Sequence, residues 1–341
     1  MIDDSYIGQP VENKQGEQGE ILSIGPANTI RVRFKERIAT YTQDSFDLGG
    51  LRLLNPEMLQ KGKREKCQEE INLINARLKG PLRELSALTG LTGVKSQIED
   101  IVCQVKNARI RKMMGLKVPT TTRHLLFLGN PGTGKTTVAR IVARLYNALG
   151  ILSKGHLVEA DRSQLVAAYT GQTAIKTRKV LEKALGGVLF IDEAYSLYHG
   201  DRDEYGVEAI DVITKFMEDH RDDLVVICAG YEERMKGFLE ANPGLASRFK
   251  TNIHFEDYDW ENLYTIFEGF FLENDYRLSE DAKEFAQTYF RKTGNHHANA
   301  RDARNMFEGS VYRQARRLND LTNLDVERLT TIEKNDLAFA V

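Results

Sequence analysis

The stretch Gly129-Asn130-Pro131-Gly132-Thr133-Gly134-Lys135-Thr136 constrains this chain more than any other. It has the spacing of a nucleotide phosphate loop: a glycine, four residues, then Gly-Lys-Thr. Glycines let the backbone turn tightly, so that successive N–H groups point inward at phosphate oxygens. A helix starting at the loop adds its positive end to the same spot. In such a loop Lys135 reaches the outer phosphates, the Thr136 hydroxyl ligates Mg²⁺, and Thr137 completes the lining. The pattern also arises by chance, so its flanks decide the matter. His124-Leu125-Leu126-Phe127-Leu128 is an apolar run of the right length for a buried strand. Val138, Ile141, Val142, Leu145 and Leu149 follow at helical spacing. Strand, loop and helix form the order that phosphate binding needs, and a glycine-rich turn with a surface lysine is the weaker account.

A second constellation supports the first. Gly187-Val188-Leu189-Phe190-Ile191-Asp192-Glu193 is an apolar run that ends in two acids. A buried parallel strand delivers its last side chains to the sheet edge, beside a phosphate loop. There Asp192 would hold the Mg²⁺ site and Glu193 would orient and deprotonate an attacking water. Two acids after a strand are also a common helix start, because carboxylates favour that end. The nearby phosphate loop favours the catalytic reading.

Between residues 88 and 256, apolar runs at Leu125–Leu128, Leu157–Ala160, Val188–Ile191, Leu224–Ala229 and Ile253–Phe255 alternate with amphipathic helical stretches. The alternation predicts an α/β domain with a parallel sheet covered by helices. From residue 257 onward strands are not expected, and residues 257–341 read as a helical domain. Residues 1–55 differ. Ile30, Val32 and Phe34 alternate with Arg31, Arg33 and Lys35, and glycines punctuate short segments, which predicts a small β-barrel-like, SH3-sized unit. Its basic face is either a solvated strand face or a surface for nucleic acid or an acidic protein, the first being favoured. Residues 56–87 read as a helical linker interrupted at Gly80-Pro81.

The 28% charged residues sum to a net charge of −2, so no global pull toward DNA or an anionic membrane is expected. No apolar run approaches the length of a membrane span. Cys67, Cys103 and Cys228 are scattered and odd in number, which predicts neither a disulfide framework nor a metal knuckle and fits a reducing cytosol. Cys228 reads as a small core residue. The pair His296-His297 reads as a polar loop, since adjacent side chains rarely converge on one ion.

From about residue 85 to its end the chain resembles the AAA+ ATPases, and among them the branch of stage V sporulation protein K and the red-type Rubisco activase CbbX. The resemblance rests on Leu88–Lys95, Ser153–Leu157, Tyr169–Ala174, Gly186–Tyr198, Ala229-Gly230-Tyr231, Asn242–Phe249 and Asn299–Asn305, in that order. It implies an AAA+ nucleotide-binding domain with a helical lid, ATP as the nucleotide, and a homo-oligomeric ring, usually a hexamer. It further implies that Arg248 is an arginine finger for a neighbour's γ-phosphate, that Arg301 is the lid arginine called sensor 2, and that Leu91, Gly93 and Val94 lie near the adenine. Tyr169-Thr170-Gly171 holds the place of a pore loop, with Thr170 where an apolar residue is more usual. At the end of the fourth strand Cys228-Ala229-Gly230-Tyr231 contains no polar residue assigned to polarise the water. The function that follows is cytoplasmic, ATP-dependent remodelling of a protein partner whose identity is open. The alternatives are a nucleic-acid motor or loader targeted by the β-unit, and a scaffold with little turnover. The Asp192-Glu193 pair speaks against the scaffold.

Overall fold

The computed structural model describes residues 7–25, 29–35, 37–42, 51–53, 56–119, 121–169, 171–200, 203–240, 243–293, 298–319 and 325–337. Thr170, Asn242 and His296-His297 lie outside the described residues, as do the turn residues Pro26, Asn28, Gly49 and Gly50. The chain divides into two compact units, residues 1–73 with 110–116, and residues 74–109 with 117–341.

In the first unit, β1 (Pro10–Asn13), β2 (Gln18–Gly25), β3 (Thr29–Arg33), β4 (Ile38–Thr42) and β5 (Leu51–Leu53) form an antiparallel sheet in the order β4–β3–β2–β1–β5. The expected alternation holds. Ile30, Val32 and Phe34 enter a small core with Val11, Ile21 and Leu51, while Arg31, Arg33 and Lys35 stay exposed. At Gly19 a Cβ would lie 2.8 Å from the Arg33 carbonyl oxygen, so only glycine lets these strands approach so closely.

The helix α1 (Pro56–Ala87) is continuous through Gly80-Pro81, contrary to the interruption expected there. Proline removes one helical hydrogen bond. Here Ile74, Leu78 and Leu85 form a buried stripe on both sides of it, while Arg77, whose carbonyl the missing N–H would have met, is on the exposed side. Water can satisfy that carbonyl, and the apolar stripe holds the helix together.

In the second unit α2 (Thr92–Met113) is followed by β6 (Leu125–Gly129), α3 (Lys135–Ala148), β7 (Leu157–Ala160), α4 (Arg162–Leu165), α5 (Thr173–Ala184) and β8 (Val188–Ile191). A short turn of 3-10 helix, Ala194–Leu197, precedes α6 (Glu204–Asp219), β9 (Val225–Gly230), α7 (Glu232–Glu240), α8 (Pro243–Arg248) and β10 (Thr251–Phe255). The five strands fall where the apolar runs predict them, and all pair in parallel in the order β10–β6–β9–β8–β7. Their runs are unbroken because both faces are covered. Leu125, Phe127, Phe190 and Ile227 face one core, shared with α2 and α3, and Leu126, Leu189, Ile191 and Cys228 face the other, shared with α5 to α7.

Beyond residue 257 come α9 (Trp260–Glu273), β11 (Arg277–Leu278), α10 (Glu280–Thr293), α11 (Ala300–Leu318), α12 (Val326–Thr330) and β12 (Thr331–Ile332). The domain is helical around Phe267, Phe271 and Phe290, as expected. It departs from the expectation of no strands, because β11 and β12 pair in parallel. Pieces of two residues carry no readable period, so sequence periodicity misses them.

His124 opens β6 and is 4% exposed; its Nδ1 accepts the Val226 N–H at 3.0 Å. Burial, with Arg248 and Arg123 adding to it, pushes its pKa from 6.5 down to about 4. Above pH 6.5 the ring is neutral whether the chain is folded or not. As pH falls from 6.5 toward 4, the unfolded chain takes up a proton that the folded ring refuses, and stability is lost, by up to about 3 kcal/mol. His124→Asn keeps an acceptor but does not titrate. The expected result is a flatter fall of the melting midpoint over this range than in the unsubstituted protein.

Candidate nucleotide site

The parallel register brings four strand ends to one edge. Gly129 pairs with Phe255, Leu128 with Gly230, and Ile191 with Cys228. The residues that follow, Asn130, Asp257, Tyr231 and Asp192, therefore emerge together. A crevice of about 770 Å³ opens there, lined by Gly129, Asn130, Tyr231, Arg234, His254 and Asp257 among others.

The loop after β6 is shaped by its glycines. Gly132 and Gly134 have φ of 72° and 92°, and a Cβ on Gly132 would lie 2.1 Å from the Ala298 carbonyl oxygen. Gly134 caps α3 with no side-chain bond, so the first-turn amides have no acceptor within the helix. Lys135 Nζ donates to the carbonyls of Gly129 at 2.9 Å and Asn130 at 2.6 Å. Thr133, buried, donates to the Asn130 carbonyl at 2.8 Å. Burial holds the Lys135 ammonium below its usual pKa; Asp192, Asp257 and Glu193 oppose this, and Arg301 adds to it. All four charges thus act on Lys135. Thr136 follows Lys135 on the first turn of α3.

Asp192 and Glu193 leave β8 exposed at this edge. The Asp192 N–H donates to the Ala160 carbonyl at 3.0 Å, continuing the sheet by one bond, and the Glu193 N–H donates to Asp192 Oδ1 at 3.0 Å. Glu193 has φ 47°, in the left-handed region that a non-glycine residue adopts only under constraint. The turn ends the strand abruptly, so both carboxylates stay at the sheet edge.

Arg301 lies in the first turn of α11. Arg304, one turn on, is engaged elsewhere, its guanidinium 5.2 Å from the centre of the Phe270 ring. Of the two arginines, it is Arg301 that acts on Lys135. Leu91 has φ 55° and packs against both the sheet core and the lid core, with a methyl 3.6 Å from where a Cβ of Gly134 would be. Val94 is buried and Gly93 exposed.

Arg248 does not join them. It lies beside His124, at the edge where β6 begins, and donates to the Gly244 carbonyl at 2.9 Å and to Glu218 at 3.3 Å. The five residues of β6 put roughly 16 Å between that edge and its own phosphate loop. Tyr169 is 71% exposed in the loop between α4 and α5. The base of that loop is stapled. Thr173 Oγ1 accepts the Ala167 N–H, Lys176 donates to the Ser163 and Val166 carbonyls, and Thr177 donates to the Leu165 carbonyl. Gly171 has φ 76° and open space around it.

Residues 125–257 match the ATPase family associated with various cellular activities, and residues 259–341 match the AAA lid domain. CbbX of Cereibacter sphaeroides is 44% identical over 255 residues, spanning 73% of this chain and 82% of that protein. The chain belongs to the AAA+ ATPases of the CbbX and stage V sporulation protein K family. Stage V sporulation protein K of Bacillus subtilis is 43% identical over 262 residues, covering 75% of this chain and 81% of its own. The chloroplastic ribulose bisphosphate carboxylase/oxygenase activase of Cyanidioschyzon merolae is 42% identical over 258 residues, 73% of this chain and 89% of that one. The AAA domain of FIGL-1 in its ADP complex shares the fold, with a TM-score of 0.55 at 19% identity over 74% of this chain and 81% of that one.

In this AAA+ ATPase a further cluster, to which the sequence assigned no role, stands at the same edge. Gly230 ends β9 without room for a side chain, since a Cβ would lie 2.8 Å from the Tyr195 ring and 2.9 Å from Met235 Sδ. Any side chain there would require Tyr195 and Met235 to shift. The Arg234 guanidinium sits 5.1 Å from the Tyr195 ring centre and 5.4 Å from that of Tyr231. Tyr195 has its pKa raised by burial and then by Glu193, which places the cluster within reach of that carboxylate. The readable signal was the spacing Tyr231-Glu-Glu-Arg234, which brings the ring and the guanidinium to one side of the first turn of α7.

Proposed function

We propose that this ATPase forms a ring, as a homo-oligomer and most naturally a hexamer, and spends ATP to remodel a protein partner in the cytoplasm. The observation that carries the reading is Tyr169. A large aromatic side chain is 71% exposed on a loop whose base is fixed by Thr173, Lys176 and Thr177. An aromatic ring held out on a firm base can grip a peptide without reading its sequence. One relative is named as an activase of a carboxylase, a protein substrate, and a protein substrate is what we propose here. Among the described residues no helix is long and apolar enough to cross a membrane.

In this reading the amides of Gly132, Thr133, Gly134, Lys135 and Thr136 hold the phosphates, and Lys135 exchanges its loop carbonyls for phosphate oxygens. Asn130, Pro131 and Thr137 complete the loop, and Leu91, Gly93 and Val94 border the base. The hydroxyl of Thr136 and the carboxylate of Asp192 are hard oxygen donors at one sheet edge, a set that suits Mg²⁺. When bound, Mg²⁺ supplies neutralising charge to the phosphate oxygens. Glu193 takes the proton of the attacking water. Arg301 adds positive charge from the lid, and Arg248 serves the neighbouring protomer. Thr170 and Gly171 complete the loop that carries Tyr169.

Replacing Tyr169 with Ala tests the grip. Basal ATP turnover should stay within about twofold, because an exposed side chain outside the phosphate loop and the acidic strand end supports no chemistry. Stimulation of turnover by an unstructured probe protein such as casein should vanish. Undiminished stimulation in Tyr169→Ala would sink the remodelling proposal.

A further inference from the structure

The six successive carbonyls of the phosphate loop from Gly129 to Gly134 are all tied down. Those of Gly129 and Asn130 accept from Lys135, that of Pro131 from Asn299 Nδ2 at 3.3 Å, and that of Gly132 from the Ala300 N–H at 3.2 Å. The Thr133 carbonyl accepts from the Tyr258 hydroxyl at 3.3 Å, and that of Gly134 from the Val138 N–H at 3.0 Å. In a trans peptide the C=O and the following N–H point opposite ways. Fixing the carbonyls of Pro131, Gly132 and Thr133 outward therefore turns the N–H groups of Gly132, Thr133 and Gly134 inward, where phosphate oxygens would be. All three of those ties come from the lid and the segment leading into it.

Asn299 is the centre of this arrangement. It is fully buried and has φ 53°, a strained backbone for a residue with a side chain. Its Nδ2 also donates to Asp257 Oδ1 at 2.7 Å, and its Oδ1 accepts the Tyr258 N–H at 2.9 Å. Asp257 in turn accepts from Asn130 Nδ2 at 2.9 and 2.8 Å. A closed circuit thus runs from Asn130 through Asp257 and Asn299 back to Pro131. Only an amide both donates twice and accepts at this position. Asp has no donor and Ser lacks the second one.

We propose that Asn299 is a positioning residue for the nucleotide. Without touching it, Asn299 holds the phosphate loop in its anion-binding conformation, and through it the lid's attachment and nucleotide affinity are one coupled property. The proposal rests on residues 129–136 being the nucleotide site. Linkage is reciprocal, so a nucleotide that steadies the loop also steadies the lid.

The test uses the full chain with Asn299→Ala, Asn299→Asp and the exchanged pair Asp257→Asn with Asn299→Asp. Affinities for Mg-ATP and for ADP are read by calorimetry, turnover at saturating ATP by phosphate release, and lid attachment by limited proteolysis with and without ADP. Asn299→Ala and Asn299→Asp should each weaken both nucleotides by about tenfold or more, the loss expected for a buried, charge-assisted hydrogen bond. Saturated turnover should fall much less, and ADP should no longer protect the lid. The exchanged pair restores a donor facing an acceptor with reversed polarity, and should recover a clear part of what Asn299→Asp lost. Those two proteins share the same residue at 299, so the difference between them reports the circuit even if Asn299→Ala fails to fold. Failure of the unsubstituted protein to bind Mg-ATP would remove the nucleotide reading itself. Binding by the unsubstituted protein, with equal affinity in Asn299→Asp or no recovery in the exchanged pair, would overturn the role given to Asn299.

Discussion

Glu193→Gln keeps its affinity for Mg-ATP within about threefold while hydrolysis falls by about 10²–10⁴, the range for loss of a positioned general base. The separation follows from placement. In the proposed site the loop amides and Lys135 hold the phosphates, whereas Glu193 stands on the next strand but one, exposed beyond the end of β8. Its left-handed backbone, φ 47°, and the bond from its N–H to Asp192 hold that turn in one shape. An amide of equal size leaves this geometry intact and removes the basicity. Single-turnover phosphate release and calorimetric titration measure the two quantities. Ordinary turnover in Glu193→Gln would refute the assignment, and a trapped, ATP-loaded assembly would give a handle for capturing the partner.

Arg248→Ala is the second large effect. Removing an arginine that stabilises the transferring phosphoryl group costs about 10³–10⁵ in turnover. Arg248 cannot reach its own phosphates, since it lies at the starting edge of β6, bonded to Gly244 and Glu218. In the ring proposed here it would act on a neighbour, and assembly would exchange the contact to Glu218 for a phosphate. Mixing inactive Arg248→Ala with inactive Lys135→Ala makes the point directly. In a head-to-tail ring, some interfaces would pair an intact loop from one variant with an intact arginine from the other. Turnover of the mixture should exceed that of either protein alone. A mixture as inactive as its components, with rings demonstrably co-assembled, would place the function of Arg248 elsewhere.

The phosphate loop, the acidic strand end and the five buried strands were legible from the chain because each is a local pattern. Gly-Lys-Thr after four residues, unbroken apolar runs and helical spacing all lie within a window of a few residues. The exposed, basic side of β3 was legible for the same reason. The two-residue strands of the lid were not, and neither was the uninterrupted passage of α1 through Pro81. In those cases packing against distant residues, not local preference, set the outcome. The cluster of Tyr195, Tyr231 and Arg234 was not legible, because it joins the turn after β8 to the start of α7, two segments far apart in the chain.

The sequence by itself determined the chemistry that the sheet edge offers: an anion cradle, a lysine, a hydroxyl and two carboxylates. Only the tertiary structure decided how these are held and which arginine lies near enough to act on Lys135. The order β10–β6–β9–β8–β7 seats the last strand beside the first, and so brings Asp257 to Asn130 across 127 residues and Asn299 to Pro131 across 168. Because β10 runs parallel to β6, Arg248, just before β10, stays at the opposite edge. Contacts of that span depend on the direction of each crossover and on the docking of the lid, and no local period along the chain encodes either.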